Sequence, residues 1–491
     1  MRDTDHSSGS NARALRVAVI GSGMSGLLMG KKLKDAGIDF QIYEKADEVG
    51  GTWRENTYPG LSCDVPAHYY SYSFEPNTDW RYRFARGGEI HDYLKQVADK
   101  YGLRRFVRFG CEITRARHDG SRWHLEDSDG EVDQVDAIVA ATGVLHHPRW
   151  PDVPGVDEFA GPCFHSARWD HSVDLRGKRI AVVGAGSTAV QIVTRLGSEG
   201  HDLLSIQRTP QWIFPMPDRS YSRPEKWLVE RVPGLSRLIH RVYEFGFERF
   251  FAQAVITPGW QRSLVDRIVR WNLGRIRDAA LRERLAPPDS PMCKRLIMSG
   301  QYYHVVQQDN VDVVRAAVTQ IRPEGVVTDD GQLHEADVLV LATGFHAHDY
   351  MRPMELETAE GLTLSEVWSQ RPRAHRTVGV PGMPDFFMVQ GPRSPVGNFS
   401  LISIGDTQTD YIMRCLSLLR DGRARSLVPR DDVADQLERD MNEQMPDTVW
   451  MSGCNSWYIG PDGLPDSWPS TPARFREHLA QPRMEEFRGG A

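Results

Sequence analysis

Arg16-Val17-Ala18-Val19-Ile20-Gly21-Ser22-Gly23-Met24-Ser25-Gly26 is a short apolar run of strand character that ends on the first glycine of a Gly-x-Gly-x-x-Gly turn. Leu27 to Leu33 continues with helical spacing, so the stretch reads as strand, tight turn and helix. Gly21 permits the turn, Gly23 lets the backbone approach a pyrophosphate, and Gly26 allows close packing of helix on strand. Met24 and Ser25 stand at the helix N-terminus, where unpaired N–H groups and the positive dipole end face the phosphates. A second strand, Asp39 to Tyr43, then ends at Glu44, about 20 residues past the glycines and placed to hydrogen-bond a ribose diol.

The same pattern returns further along the chain. Lys178 to Val183 reads as a strand and runs into Gly184-Ala185-Gly186-Ser187-Thr188-Ala189, in which Ala189 replaces the third glycine. Its second strand, Asp202 to Ile206, ends on Gln207-Arg208-Thr209 instead of an acid. A guanidinium beside a hydroxyl suits a 2′-phosphate, whereas a carboxylate suits a free 2′-hydroxyl. The first site therefore reads as FAD and the second as NADPH, and holding both marks a redox enzyme. Apolar strands ending in Ala141-Thr142-Gly143 and Ala342-Thr343-Gly344 repeat one signature, which points to two nested units. The expected fold is α/β, with two Rossmann-like dinucleotide-binding domains and a helical insertion.

Composition narrows the classes. The 491 residues are long enough for two or three domains, and a net charge of -7 argues against nucleic acid or an anionic membrane as partner. No apolar stretch approaches the roughly 18 residues of a transmembrane helix, and Met1 to Asn11 is polar, so a soluble, cytoplasmic protein is expected, monomeric or homodimeric. Cys63, Cys111, Cys163, Cys293, Cys415 and Cys454 are scattered with no Cys-x-x-Cys pair, which suggests neither a disulfide framework nor a zinc site. It also excludes the active-site dithiol of disulfide reductases. His146-His147 and His346-x-His348 lack companions at ligand spacing, so no metal is expected.

The chain divides into a disordered N-terminus (1–14), an FAD-binding domain (15–148 and 375–491), an NADPH-binding domain (149–210 and 294–374) and a helical insertion (211–293). Within the insertion, Trp227 to Arg231 and Arg262 to Val269 read as helices that form a lid or wall for substrate, with arginines on a solvated face. Asp385 to Gln390 reads as a strand and the stretch after Asp410 as a helix, both folding back onto the first unit.

Phe159-Ala160-Gly161-Pro162-Cys163-Phe164-His165-Ser166-Ala167-Arg168-Trp169-Asp170 fits Phe-x-Gly-x-x-x-His-x-x-x-Trp-Asp/Pro just ahead of the second glycine motif. Through Phe159, Gly161, His165, Trp169 and Asp170 it resembles the fingerprint of the type I Baeyer-Villiger monooxygenases. Related flavin monooxygenases that oxidise nitrogen or sulfur carry a looser version that lacks the Trp-Asp ending. The resemblance runs over nearly the whole chain. Gly50-Gly51-Thr52-Trp53-Arg54, Tyr58-Pro59-Gly60, Cys63-Asp64 and Tyr70-Ser71 are similar to the family's flavin-contacting loop. Lys294-Arg295-Leu296 resembles the segment carrying its active-site arginine, and Ser456-Trp457-Tyr458 the stretch that closes over the nicotinamide. Arg393 departs from the pattern: relatives commonly have Asn there, in a loop (391–402) expected near flavin and substrate.

The resemblance implies FAD and NADPH as cofactors, and a ketone and O2 as substrates. It further implies a C4a-peroxide on the flavin that attacks the carbonyl and rearranges to an ester or lactone. Arg295 is then the cation that keeps the peroxide anionic, and Asp64 orients it through a charge-assisted bond. Lys45, Gly51, Thr52, Trp53, Asp64, Tyr70 and Ile113 complete the expected flavin set. Ser187, Thr188, Gln191 and Trp457 belong to the nicotinamide nucleotide, with Lys294 joining Arg208 and Thr209 on the 2′-phosphate. His165 is organisational, holding the connection between the two nucleotide domains. The aromatic run from Trp53 to Phe84 suits a dry pocket. Two alternatives stay open: an N- or S-oxidising monooxygenase on the same scaffold, and a non-oxygenating flavin reductase or nicotinamide-responsive binding protein.

Overall fold

Val17 to Ile20 are buried without alternation, and an apolar run of that kind fits a strand covered on both faces. The computed structural model describes residues 14–397, 400–460 and 462–489. Of the N-terminal stretch expected to be disordered, residues 1–13 lie outside the described residues.

Strand β1 (Arg16–Ile20) leads into helix α1 (Met24–Asp35) and strand β2 (Asp39–Glu44). Strand β3 (Val107–Phe109) lies beyond β2, and β4 (Ala137–Ala140) pairs with the other side of β1. A second sheet is built from β5 (Cys163–His165), β6 (Arg179–Val183), β7 (Asp202–Ile206), β8 (Val311–Val314) and β9 (Val338–Leu341), with helix α2 (Ser187–Ser198) following β6. Its order is β8-β7-β6-β9-β5. A late strand, β10 (Phe386–Met388), returns to the first sheet, whose order is β10-β4-β1-β2-β3. Both sheets are parallel, and in each the order reverses beside the strand that carries the glycine turn. That reversal opens a crevice at the strand C-terminal ends, where ligands of such sheets bind.

The repeated Ala-Thr-Gly now has a physical reason. Gly21 has φ +101°, and a Cβ there would stand 2.7 Å from the Ala141 carbonyl oxygen; Gly184 has φ +143°, with the Ala342 oxygen at 2.3 Å. Each return strand thus ends against the backbone of the first glycine, which only glycine allows. A Cβ on Gly26 would lie 1.9 Å from the Gly21 oxygen, so helix α1 sits as close to its strand as the third glycine position requires.

Between the two halves of the second sheet run α3 (Arg223–Arg231), α4 (Leu235–Gly246) and α5 (Trp260–Leu273). Helix α6 (Leu401–Arg420) begins ahead of Asp410, and its Ile404, Ile412 and Leu416 share a core with Val17, Val19 and Leu33 of the first unit. Helix α7 (Asp431–Gln444) follows it. Cys293 and Cys454 form a disulfide with a Cα separation of 6.2 Å, a pairing across 161 residues that local cysteine spacing does not reveal. No helix among the described residues is long and apolar enough to cross a membrane.

Candidate active site

Both glycine turns open into one cavity of about 1450 Å³. On the first side it is lined by Gly21, Gly23, Met24, Ser25, Glu44, Lys45, Gly51, Thr52, Trp53, Asp64, Tyr70 and Ile113. On the second it is lined by Gly184, Gly186, Ser187, Thr188, Gln191, Arg208, Thr209, Lys294, Arg295 and Trp457. Gly26 and Ala189 are not on the wall; they lie beneath it, where helix meets strand.

Each glycine turn is followed by a second strand that ends at the cavity. Glu44, at the end of β2, accepts from the Ser22 N–H and hydroxyl at 2.8 Å each, and its other oxygen accepts from the Ala46 N–H at 3.0 Å. This fixes a carboxylate at the rim of the first turn. Arg208, at the end of β7, is exposed to the cavity and makes no ion pair among the described residues. Gln207, its neighbour, turns inward and donates to Ser205 and Tyr302. Lys294 faces the cavity with its Nζ 2.6 Å from Asp289. Gln191 also joins α2 to the loop of the first unit, because its amide accepts from the Tyr58 hydroxyl and donates to the Ser62 carbonyl, both at 3.0 Å.

Arg295 and Asp64, 231 residues apart, meet on the cavity wall as a bidentate pair. Arg295 Nε donates to Asp64 Oδ2 at 2.7 Å and Nη2 to Oδ1 at 2.9 Å, while Nη1 donates to the Val396 carbonyl at 3.1 Å. Burial opposes both charges, but each answers the other. The guanidinium is held well above the ordinary arginine value and the carboxyl below the usual carboxylate range. The Tyr458 hydroxyl lies beside the same guanidinium. A guanidinium carries five N–H donors, and Asp64 and Val396 engage three, which leaves donors for Tyr458 and the cavity. Val396 carries no residue-type signal because its contribution is a backbone carbonyl; Tyr458 was legible only as the neighbour of Trp457.

Phe159, Gly161, His165, Trp169 and Asp170 are all away from the cavity wall. His165 is fully buried; its Nδ1 accepts from the Ala167 N–H and its Nε2 contacts the Gly344 carbonyl, each at 3.1 Å. Burial pushes its pKa down to about 4, so at neutral pH Nε2 carries the proton that Gly344 accepts. Gly161 packs against the Asp337 carbonyl, where a Cβ would come within 2.2 Å. Gly161 and His165 therefore pack against the residue just before β9 and the turn after it.

The loop at 391–402 reaches the cavity through Val396 and Leu401. Arg393 does not face the cavity: it is fully buried, with Nη2 2.7 Å from both Glu438 and Asn442 of α7, and its N–H donates to Asp466. Of the aromatic run, Trp53, Tyr58 and Tyr70 reach the cavity, while Tyr69, Tyr72 and Trp80 belong to the core behind it.

Paired parallel sheets whose glycine turns share one cavity define a two-dinucleotide flavoprotein. The chain belongs to the flavin-binding monooxygenase-like family, whose model matches residues 14–355. It is 47% identical over 476 residues to an uncharacterized monooxygenase of Mycobacterium tuberculosis, covering 97% of this chain and 96% of the relative. It is 39% identical over 482 residues to a Baeyer-Villiger monooxygenase of Streptomyces coelicolor, covering 96% and 92%. The structure of OTEMO in complex with FAD and NADP superposes with a TM-score of 0.84 at 25% identity, covering 96% and 98%.

Proposed function

We propose that this protein is an FAD- and NADPH-dependent Baeyer-Villiger monooxygenase that inserts one atom of O2 beside a ketone carbonyl, giving an ester or lactone. The observation that carries this reading is the half-buried, bidentate Arg295–Asp64 pair on the wall of a cavity that both glycine turns enter. The names of the Streptomyces coelicolor relative and the OTEMO complex support it.

The residues present fit both nucleotides. Gly23 and Gly51 approach so closely that a Cβ on Gly51 would stand 3.0 Å from Gly23 Cα, which leaves bare backbone for a pyrophosphate. Glu44 suits the adenosine ribose of FAD, and Lys45, Thr52, Trp53, Tyr70 and Ile113 line the rest of its path. Gly186 has open space above it, and Ser187 and Thr188 start α2. Arg208, Thr209 and Lys294 take the 2′-phosphate of NADPH, with Gln191 and Trp457 nearer the nicotinamide. On this reading residues 15–148 and 375–491 hold FAD, 149–210 and 294–374 hold NADPH, and 211–293 form a wall.

Bound flavin supplies hydride acceptance and the activation of O2. The chain supplies charge and position. Negative charge develops on oxygen twice in such a reaction, and a fixed cation about 4 Å away is worth roughly 4 kcal/mol at an effective dielectric of 20. Arg295 cannot give up its proton beside an anion, and Asp64 keeps the guanidinium aimed. Arg295→Ala is expected to retain flavin reduction by NADPH yet lose ester formation by about 10²–10³-fold, the usual cost of one preorganised donor. Product analysis after single turnover separates the two steps, and normal ester yield from that variant would remove Arg295 from its role.

A further inference from the structure

Helices α3 and α4 carry apolar side chains outward. Trp227 is 59% exposed, Val242 62% and Phe245 65%, with Leu228, Val232 and Leu238 exposed beside them. On α4, Leu238, Val242 and Phe245 are spaced four and three residues apart and form one stripe. The helix is not loosely attached. His240 on its other side lies 3.0 Å from the His68 carbonyl, and Tyr243 packs with the core around Tyr69. The stripe is thus held outward by a fixed inner face.

Arginines frame it. Arg223, Arg231, Arg237, Arg241 and Arg249 are all exposed and make no ion pair among the described residues. Of the acids on and beside these helices, Glu225 is taken by Arg219 and Glu248 by Arg476, which leaves Glu230 and Glu244 against the five arginines. Arg237 and Arg241 sit one residue before Leu238 and Val242, so two arginines, followed one turn on by Glu244, run along the edge of the apolar stripe. The whole-chain charge of -7 averages this local excess away.

We propose that the α3–α4 face docks on the surface of an anionic lipid bilayer, with the apolar stripe at the acyl boundary and the arginines on lipid phosphates. A helix with large apolar side chains on one side and arginine along its edge has the composition of an interfacial element. A two-fold contact with a second copy would offer only Glu230 and Glu244 to five arginines on each side and leave most guanidiniums without a counter-charge, which opposes association. A nucleic acid would neutralise the arginines yet leave the stripe in water. The surface does not depend on which substrate the cavity takes.

The test is flotation of the full-length holoenzyme with vesicles of phosphatidylcholine alone, and with about 30% phosphatidylglycerol added, at low and high salt. The wild type is expected to float with the anionic vesicles, and at least about tenfold less with neutral ones or at high salt. Leu238→Ser/Val242→Ser/Phe245→Ser and, separately, Arg237→Ser/Arg241→Ser should each reduce flotation comparably while keeping flavin content. These side chains are exposed, so their loss does not open the core. Wild-type protein that stays unbound with anionic vesicles would overturn the proposal. So would a wild-type dimer that the triple variant dissociates, which would assign the face to a second copy.

Discussion

Arg295 keeps its charge because three oxygens surround it: two from Asp64 and one from Val396. The residue type and its carboxylate partner were legible from the chain by resemblance, because side chains leave a mark in sequence. The third oxygen was not, because any residue can offer a carbonyl. Arg393 shows a different case: its loop does reach the cavity through Val396, yet its own guanidinium turns away and donates to Glu438 and Asn442 inside the protein. Arg208, proposed above for the 2′-phosphate, has no counter-charge among the described residues. Replacing it by Ala is expected to cut the preference for NADPH over NADH by about tenfold, the value of one charge-assisted contact of roughly 1.5 kcal/mol. Steady-state kcat/KM for the two nucleotides measures this, and an unchanged ratio would place the 2′-phosphate elsewhere.

At the scale of elements, strand-turn-helix was readable because each glycine answers a steric demand that the fold repeats. Strands Arg16–Ile20 and Asp202–Ile206 begin and end where the apolar pattern places them. Helix boundaries were harder: α6 begins at Leu401, hidden by a polar-apolar mixture that does not separate loop from helix. The two third-position residues give a matched test. Gly26→Ala places a methyl group 1.9 Å from a backbone oxygen, so α1 must move off the sheet. A loss of at least about 2 kcal/mol in stability and a low flavin content are expected, as for overpacking of a tight contact. Ala189→Gly at the equivalent place should cost only about 0.5–1 kcal/mol, from helix propensity. Denaturant midpoints and the ratio of flavin to protein absorbance report both. Equal behaviour of the two variants would show that the third position is not sterically special.

At the scale of the whole molecule, the two sheets and the chain's return to the first were legible because the glycine motifs and the Ala-Thr-Gly endings recur. The Cys293–Cys454 pairing was not, since partners so distant are brought together by the fold alone. Folding also buries histidines as neutral rings. Burial pushes His165 and His68 down to about 4 from an ordinary value of 6.5. Between those limits the unfolded chain binds more protons than the folded one, so stability is complete above pH 6.5 and falls as pH drops toward 4. On the order of 1–2 kcal/mol per histidine should be lost between about pH 7.5 and 5, visible as a lower urea midpoint. A midpoint that holds steady over that range would mean the rings are hydrated.

The most direct measurement is mass spectrometry of the products formed by holoenzyme, NADPH and ¹⁸O₂ across linear, cyclic and polycyclic ketones. The expected result is an ester or lactone heavier than its ketone by a single ¹⁸O atom. Nucleotide oxidation with no labelled ester from any ketone, or label appearing only in N-oxides and sulfoxides of added amines and sulfides, would contradict it.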